Sequence, residues 1–201
     1  MVSRRKARTV CSKCAWLPMS KIALLAGAFV CAAGMAFADP KLVIDVAGEA
    51  NGQVVINLRP DLAPNHVERV VTLAKEGAYD GVAFHRVIDG FMAQTGDVEF
   101  GKGSDLSRAG MGGSSLPDLK AEFTPTPYVR GVVGMARSQN PDSANSQFFI
   151  TFASAPFLDG QYTVFGEVES GMEVVDKIRR GAGQSGSVTN PDKMVKVTVQ
   201  E

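Results

Sequence analysis

Two short blocks hold the side chains best suited to chemistry. The first, Phe84-His85-Arg86-Val87-Ile88-Asp89-Gly90-Phe91-Met92-Ala93-Gln94-Thr95-Gly96-Asp97, sets one arginine and one glutamine among aromatic and thioether side chains. The second, Gly131-Val132-Val133-Gly134-Met135-Ala136-Arg137 through Ser146-Gln147-Phe148-Phe149-Ile150, repeats that mixture. Together they offer a fixed cation and polar amides inside an apolar wall, with no obvious nucleophile. Such a site is better suited to binding and distorting a molecule than to cutting one. Arg86 is the strongest single candidate, because burying an arginine between Phe84 and Val87 without a role is costly. Phe84, Phe148 and Phe165 read as ordinary core residues, and Phe91, Met92 and Phe149 could be core on spacing alone.

Other chemistries find little footing. A serine hydrolase elbow needs Gly-x-Ser-x-Gly, and the nearest approach, Gly183-Gln184-Ser185-Gly186-Ser187, fails at its last position. After residue 38 the chain holds His66 and His85 in unrelated contexts and no cysteine, so neither a metal site nor a cofactor is expected. His85, inside an apolar run, reads as a hydrogen-bonded structural histidine. Gly101-Lys102-Gly103 and Gly110-Met111-Gly112-Gly113 lack the following helix that a phosphate-cradling loop requires.

The elements that must position the two blocks are mostly strands. Lys41–Val46 and Gln53–Leu58 are β-branched runs joined across Asn51-Gly52, the pattern of an antiparallel hairpin. Ala63-Pro64 opens a helix in which Val67, Val70, Val71 and Ala74 recur at helical spacing, and Gly77 ends it. A second helix is predicted from Ser170 and Glu173 at capping-box spacing, with Met172, Val175 and Ile178 as its buried stripe and Gly181 as its stop. Ala83–Ile88, Val132–Ala136, Gln147–Phe152, Thr163–Val168 and Lys193–Val199 read as further strands. Two helices among many short strands favour a mostly-β protein, a closed antiparallel barrel, over alternating β-α units. Val98–Thr126 is rich in Gly and Ser with little periodicity, and reads as a partly ordered excursion flanking a groove. Gly181–Pro191 reads as a second, flexible loop.

Residues 1–38 are expected to be a cleaved signal peptide. Arg4, Arg5, Lys6, Arg8, Lys13 and Lys21 form a basic leader, Ile22–Ala38 is uncharged, and Ala36-Phe37-Ala38 precedes Asp39 as a small-x-small cleavage signal. Met19 would start a more compact signal of ordinary proportions. An uncleaved anchor is the weaker reading, since the apolar run is short for a span and rich in Ala and Gly. Six of the 21 basic residues fall in the leader, so residues 39–201 carry 15 against 21 acidic, a net charge near −6. That charge argues against nucleic acid as a partner. Cys11, Cys14 and Cys31 also fall in the leader, and a cysteine-free remainder suits an oxidising compartment. The remaining length suits one domain, residues 39–201.

From Lys41 to Val199 the chain resembles the cyclophilin family of peptidyl-prolyl isomerases. The resemblance rests on Ala63-Pro64-Asn65, Tyr79-Asp80-Gly81, the Phe84–Asp97 block, Met135-Ala136-Arg137, Ser146–Ile150, Phe157-Leu158-Asp159-Gly160 and Val164-Phe165-Gly166. It implies a closed eight-stranded barrel with two capping helices, no cofactor, and rotation about Xaa-Pro bonds in unfolded or extended polypeptides. Arg86 would be the catalytic arginine over the prolyl nitrogen. Phe91, Met92, Phe149 and Leu158 would form the proline pocket, with Phe157 and Tyr162 beside it. Gln94 and Gln147 would bind the substrate backbone, and main-chain groups near Ala136 and Arg137 would pair with the extended peptide. A proline-peptide chaperone with incidental turnover is the alternative. Three positions depart from the family pattern: Asp89 where proline is frequent, Phe157 where many eukaryotic members carry tryptophan, and Tyr162 where they carry histidine. Without the indole N–H, weak cyclosporin binding is expected. The Phe157 and Tyr162 pair resembles bacterial members, which together with the leader points to a monomer in the periplasm, free of the membrane once cleaved.

Overall fold

β-Branched runs favour extended backbone, and the first two form the expected hairpin. The computed structural model describes residues 39–201; the leader, its cysteines and its cleavage signal lie outside the described residues. β1 (Lys41–Ala47) and β2 (Gly52–Leu58) pair antiparallel with Val43 opposite Val55 and Val46 opposite Gly52. The turn is longer than Asn51-Gly52 alone, because residues 47–51 lie beyond the last pair and Asn51 Nδ2 donates back to Gly48 O at 2.9 Å. Leu42, Ile44, Val54 and Ile56 are buried on the inner face, as a period of two requires.

α1 (Pro64–Lys75) starts on its proline and buries Val67, Val70, Leu73 and Ala74. Leu73 takes the place expected for Val71, which is only partly buried. The helix ends where Gly77 N donates to Ala74 O and Ala78 N to Leu73 O, a paired C-terminal turn. The second helix is shorter than its capping pattern suggests. α2 spans only Met172–Val175, is capped by Gly171, and has no side-chain cap. Ser170 cannot cap it, because Ser170 belongs to the preceding strand and pairs with Val55.

The other strands are β3 (Val82–Ala83), β4 (Arg86–Ile88), β5 (Met92–Thr95), β6 (Val132–Met135), β7 (Phe148–Thr151), β8 (Val164–Ser170) and β9 (Lys193–Gln200). The expected closed eight-stranded barrel is not formed. Among the described residues the strands make one curled, wholly antiparallel nine-stranded sheet in the order β3-β9-β1-β2-β8-β6-β7-β5-β4, and no ladder joins its ends. The cause lies in the Ala83–Ile88 run. Its first part pairs with β9 and its last part with β5, so Phe84-His85 carries the chain between the two sheet ends covalently. β5 was not anticipated, since Met92-Ala93-Gln94-Thr95 is too short to display a period.

Side chains alternate across β5, β6 and β7. Ala93, Val133, Met135, Phe148 and Ile150 enter the main core, whereas Met92, Val132 and Phe149 enter a second apolar cluster on the opposite face. The Val98–Thr126 excursion contains no helix or strand but is pinned at several points. Asp97, fully buried, accepts from the N–H groups of Glu99, Phe100, Gly110 and Gly112 at 2.7–3.1 Å. Asn145 accepts from Ser114 N at 2.7 Å and donates to Leu116 O at 3.0 Å. Glu122 accepts from Asn65 and from both the backbone and ring of His66.

Candidate active site

Strand register assembles the site. Arg86 on β4 lies opposite Gln94 on β5, Gln94 opposite Phe149 on β7, and Phe149 opposite Gly134 on β6. Residues directly opposite share a face. One row across four strands therefore runs from a cation, through an amide and an aromatic ring, to a gap.

The gap is required. A Cβ on Gly134 would lie 2.2 Å from the Tyr128 hydroxyl and 2.7 Å from Phe149 Cζ. Without it, Tyr128 and Phe149 stack at 5.8 Å with 23° between planes, and Tyr162 stands edge-on to Phe149 at 5.8 Å. Tyr128 is buried beneath this layer, its hydroxyl has no partner among the described residues, and burial raises its pKa. Met92 and Leu158 close the floor. Leu158 and Phe157 come from a 3-10 turn that Pro156 opens, and the Phe157 ring leans on Phe91 at 5.3 Å.

The resulting groove has a volume of about 410 Å3. Every residue expected at the site lines it except Gln147, and Gln161 joins them. Gln147 lines an adjoining cavity of about 220 Å3, which shares Gln94, Ala136 and Arg137 with the groove.

A polar relay crosses the groove wall. Arg86 Nη1 donates to Gln94 Oε1 at 3.1 Å, Gln94 Nε2 to Gln147 Oε1 at 2.9 Å, and Gln147 Nε2 to Gly112 O at 2.7 Å. Its direction is fixed chemically: arginine only donates, so each amide turns its oxygen toward Arg86 and its nitrogen away. Among the described residues Arg86 Nη2 has no protein partner, whereas Nε is held by Ser185 O at 3.1 Å. The Gln94 side chain thus bridges Arg86 and Gln147, with a second N–H and a second lone pair left over.

Arg137 is likewise a wall element. Its guanidinium donates to the carbonyls of Gln161, at 3.2 and 2.9 Å, and Ser138, at 2.8 Å, and lies 4.3 Å over the Tyr162 ring. Ala136 N already donates to Gln147 O at 2.9 Å. His85, expected to be a hydrogen-bonded structural histidine, is 8% exposed and packs beside Gly110; among the described residues neither ring nitrogen meets strict hydrogen-bond geometry, though Ala83 and Gln147 lie close enough to influence it. Burial lowers its pKa, against the opposing charge of Asp97. Among the described residues no group of three or more histidine, cysteine or acidic side chains could hold a metal ion.

Sequence reasoning missed Tyr128, Gly134, Gln161 and the organising carboxylate Asp97. Only Asp97 left a signal, as an acid at the start of a glycine-rich excursion whose N–H groups need an acceptor.

Residues 43–199 match the family model for cyclophilin type peptidyl-prolyl cis-trans isomerase/CLD. A Brucella suis protein named "Probable peptidyl-prolyl cis-trans isomerase" is 60% identical over 167 residues, covering 81% of this chain and 85% of that one. The peptidyl-prolyl cis-trans isomerase of Helicobacter pylori is 41% identical over 134 residues, covering 65% and 76%. Among solved structures, a Cryptosporidium parvum cyclophilin type isomerase, crystallised in the presence of the dipeptide Ala-Pro, superposes with a TM-score of 0.68 at 26% identity. That match covers 80% of this chain and 99% of that one. The fold, the match along nearly all the described residues and the extent of identity agree: the chain belongs to the cyclophilin-type peptidyl-prolyl cis-trans isomerases, and its activity is rotation about Xaa-Pro peptide bonds.

Proposed function

We propose that Arg86 is the catalytic group of this isomerase and that its substrates are proline-containing segments of unfolded or extended exported polypeptides. The observation that carries the assignment is the Arg86 guanidinium, fixed by Gln94 with Nη2 unpaired, on the rim of the pocket of Phe91, Met92, Phe149 and Leu158. The Ala-Pro dipeptide present with the Cryptosporidium neighbour supports a proline ring as the pocket's occupant.

The chemistry follows from the amide. Rotation costs roughly 18–20 kcal/mol because resonance must be lost. In the twisted state the prolyl nitrogen regains a lone pair and accepts a hydrogen bond that the planar state cannot. A donor placed there stabilises the transition state alone, which is what raises turnover. Arginine suits the task, being permanently charged and planar. The apolar floor contributes as well, since a twisted amide is less polar than a planar one.

Uncatalysed rotation takes about 10–100 s. Bringing it to milliseconds requires roughly 5–7 kcal/mol. A charged hydrogen bond from Arg86 supplies about 1.5–3 of that. Exclusion of water and a pre-twisted bound peptide supply the rest.

Exchange NMR on an Xaa-Pro tetrapeptide tests the assignment without a coupling protease. Arg86→Ala is expected to lower kcat/KM by roughly 10²–10³. Wild-type turnover in that variant would remove Arg86 from the mechanism.

Delivery to the periplasm rests on the basic leader, the uncharged run and Ala36-Phe37-Ala38, and the absence of cysteine from residues 39–201 fits that compartment. N-terminal sequencing of the protein from a periplasmic fraction is expected to begin at Asp39; an uncut chain in the membrane fraction would refute cleavage.

A further inference from the structure

β4, the strand that carries Arg86, pairs with β5 along one side and ends the sheet on the other. A bare edge leaves backbone donors and acceptors unmatched. Here residues 181–188 cover it. Val87 N donates to Gly186 O at 2.7 Å, Gly181 N to Val87 O at 2.9 Å, and Val188 N to His85 O at 3.1 Å. Ser187 bridges to both Arg86 and Ala182, so the segment folds back on itself as a tight hairpin lying against β4.

From its turn, the Ser185 carbonyl accepts the Arg86 Nε hydrogen bond at 3.1 Å. The guanidinium is therefore gripped from two elements, Nη1 by Gln94 on β5 and Nε by the hairpin. One bond would leave a planar group free to swing about it. Two bonds at different nitrogens fix both place and plane.

We propose that the 181–188 hairpin is a positioning element for catalysis, with the Ser185 carbonyl setting the plane of the Arg86 guanidinium. The inference rests on Arg86 being the catalytic donor. Gly186 and Gly181 make the docking possible. Gly186 has φ +69°, and a Cβ there would lie 2.4 Å from Ile88 Cγ1 and 3.1 Å from Val87 O. A Cβ on Gly181 would lie 1.9 Å from Gly186 O. Residues 182–185 are exposed, so the hairpin tip adds little to the core. Its bonds go to the catalytic strand and to Arg86. Because the donor acts only in the transition state, a misplaced guanidinium lowers kcat and leaves peptide affinity nearly intact.

The test compares Gly186→Ala and Gly181→Ala with Glu68→Ala, whose side chain is exposed on α1 away from the groove and the hairpin, and with Arg86→Ala. Exchange NMR gives kcat, titration with an Ala-Pro peptide gives Kd, and the 15N–1H signal of Arg86 Nε reports its bond. The glycine variants are expected to lose roughly 10- to 100-fold in kcat with Kd within about twofold, and to lose solvent protection of the Nε proton. Glu68→Ala keeps wild-type values. Loss of Nε protection at unchanged kcat would overturn the hairpin's role while Arg86→Ala still collapses turnover. Equal losses in kcat and affinity with a lowered unfolding midpoint would reduce the hairpin to a structural part. Full turnover in Arg86→Ala would overturn the catalytic assignment and this inference with it. A measurement on the unaltered protein needs no variant to fold: coupling between Arg86 Nε and the Ser185 carbonyl carbon is expected, and an unprotected, uncoupled Nε proton would refute the proposal.

Discussion

The two faces of the sheet formed by β5, β6 and β7 are both apolar and both shielded, yet they close differently. On the inner face Phe148 meets Tyr79 edge-on at 5.7 Å and Phe165 at 6.0 Å, inside a core continuous with β1, β2 and α1. On the outer face Phe149 lies against Tyr128 and Tyr162, under residues supplied by loops and a 3-10 turn. Regular elements fill the inner face to closure. The outer cover stops short and leaves the groove, with Phe157 62% exposed at its rim. The same alternation along β7 thus buries one residue in the core and turns the next toward the groove.

Truncating the two neighbours separately tests this difference between the faces most directly. Phe148→Ala is expected to destabilise the fold by about 3–5 kcal/mol, because the cavity it leaves is fully enclosed. Phe149→Ala opens toward the groove, where water can enter, so its cost should fall clearly below that range. Its larger effect should be weaker peptide binding, read as a raised KM. Urea unfolding beside exchange NMR separates the two; equal stability losses would mean that the faces do not differ as described.

Gly134→Ala probes the outer face from beneath. The added Cβ must displace Tyr128 or Phe149, since 2.2 and 2.7 Å are not tolerated contacts. Overpacking of this kind costs about 1–3 kcal/mol. Turnover should drop alongside stability, because Phe149 forms the pocket floor. An alanine variant with wild-type KM would show that the floor tolerates displacement.

Most of the fold was legible wherever periodicity or turn chemistry was strong, as in β1, β2, α1 and the runs that became β6, β7 and β9. The failures have physical causes. The apolar run around Phe84 was legible as a strand, but nothing in it said that its halves pair at opposite ends of the sheet. Ser170 and Glu173 carry a capping spacing, yet the ladder to Val55 claims Ser170 first. At the site, Arg86 stood out because a cation among aromatics is expensive to bury. Gly134 and Tyr128 did not, since their importance is a close approach between strands distant in sequence. The hairpin at residues 181–188 read as a loose loop because its order comes from the edge of β4, not from its own residues.

His66, buried under the start of α1, and His85, beside β4, make stability depend on pH. Burial lowers both pKa values below the usual 6.5; a hydrogen bond and charge from Glu122 oppose this at His66, and the Asp97 charge opposes it at His85, while Arg69 and Arg86 respectively add to it. Burial tends to raise the pKa of Glu122, but bonds from His66 and Asn65 outweigh it and leave it lowered. A depressed histidine pKa means that the unfolded chain takes up a proton first. Stability is then whole above about pH 6.5 and declines on acidification, by up to about 1.4 kcal/mol per pH unit per histidine. Glu122 extends the decline below the usual carboxylate range. Urea midpoints at pH 7.5, 6.5 and 5.5 should fall in that order, and His66→Gln should flatten the slope. A slope unchanged in that variant would place the acid sensitivity elsewhere.

The smallest expected effect concerns the rim, where the outer face is least closed. The Phe157 ring rests on Phe91 at 5.3 Å with 46° between planes, and most of its surface meets solvent. Phe157→Trp keeps the apolar contact and adds an N–H donor. Stability should change by no more than about 0.5 kcal/mol, as for other exposed substitutions. Turnover of a tetrapeptide should also hold, because the rim lies beyond the floor proposed to take the proline ring. Cyclosporin affinity should tighten by up to about tenfold, the worth of one added hydrogen bond. Titration of both proteins decides it. Unchanged affinity would show that the missing indole donor does not set cyclosporin binding and would turn the test to Tyr162, whose ring stands edge-on to Phe149 beneath the Arg137 guanidinium.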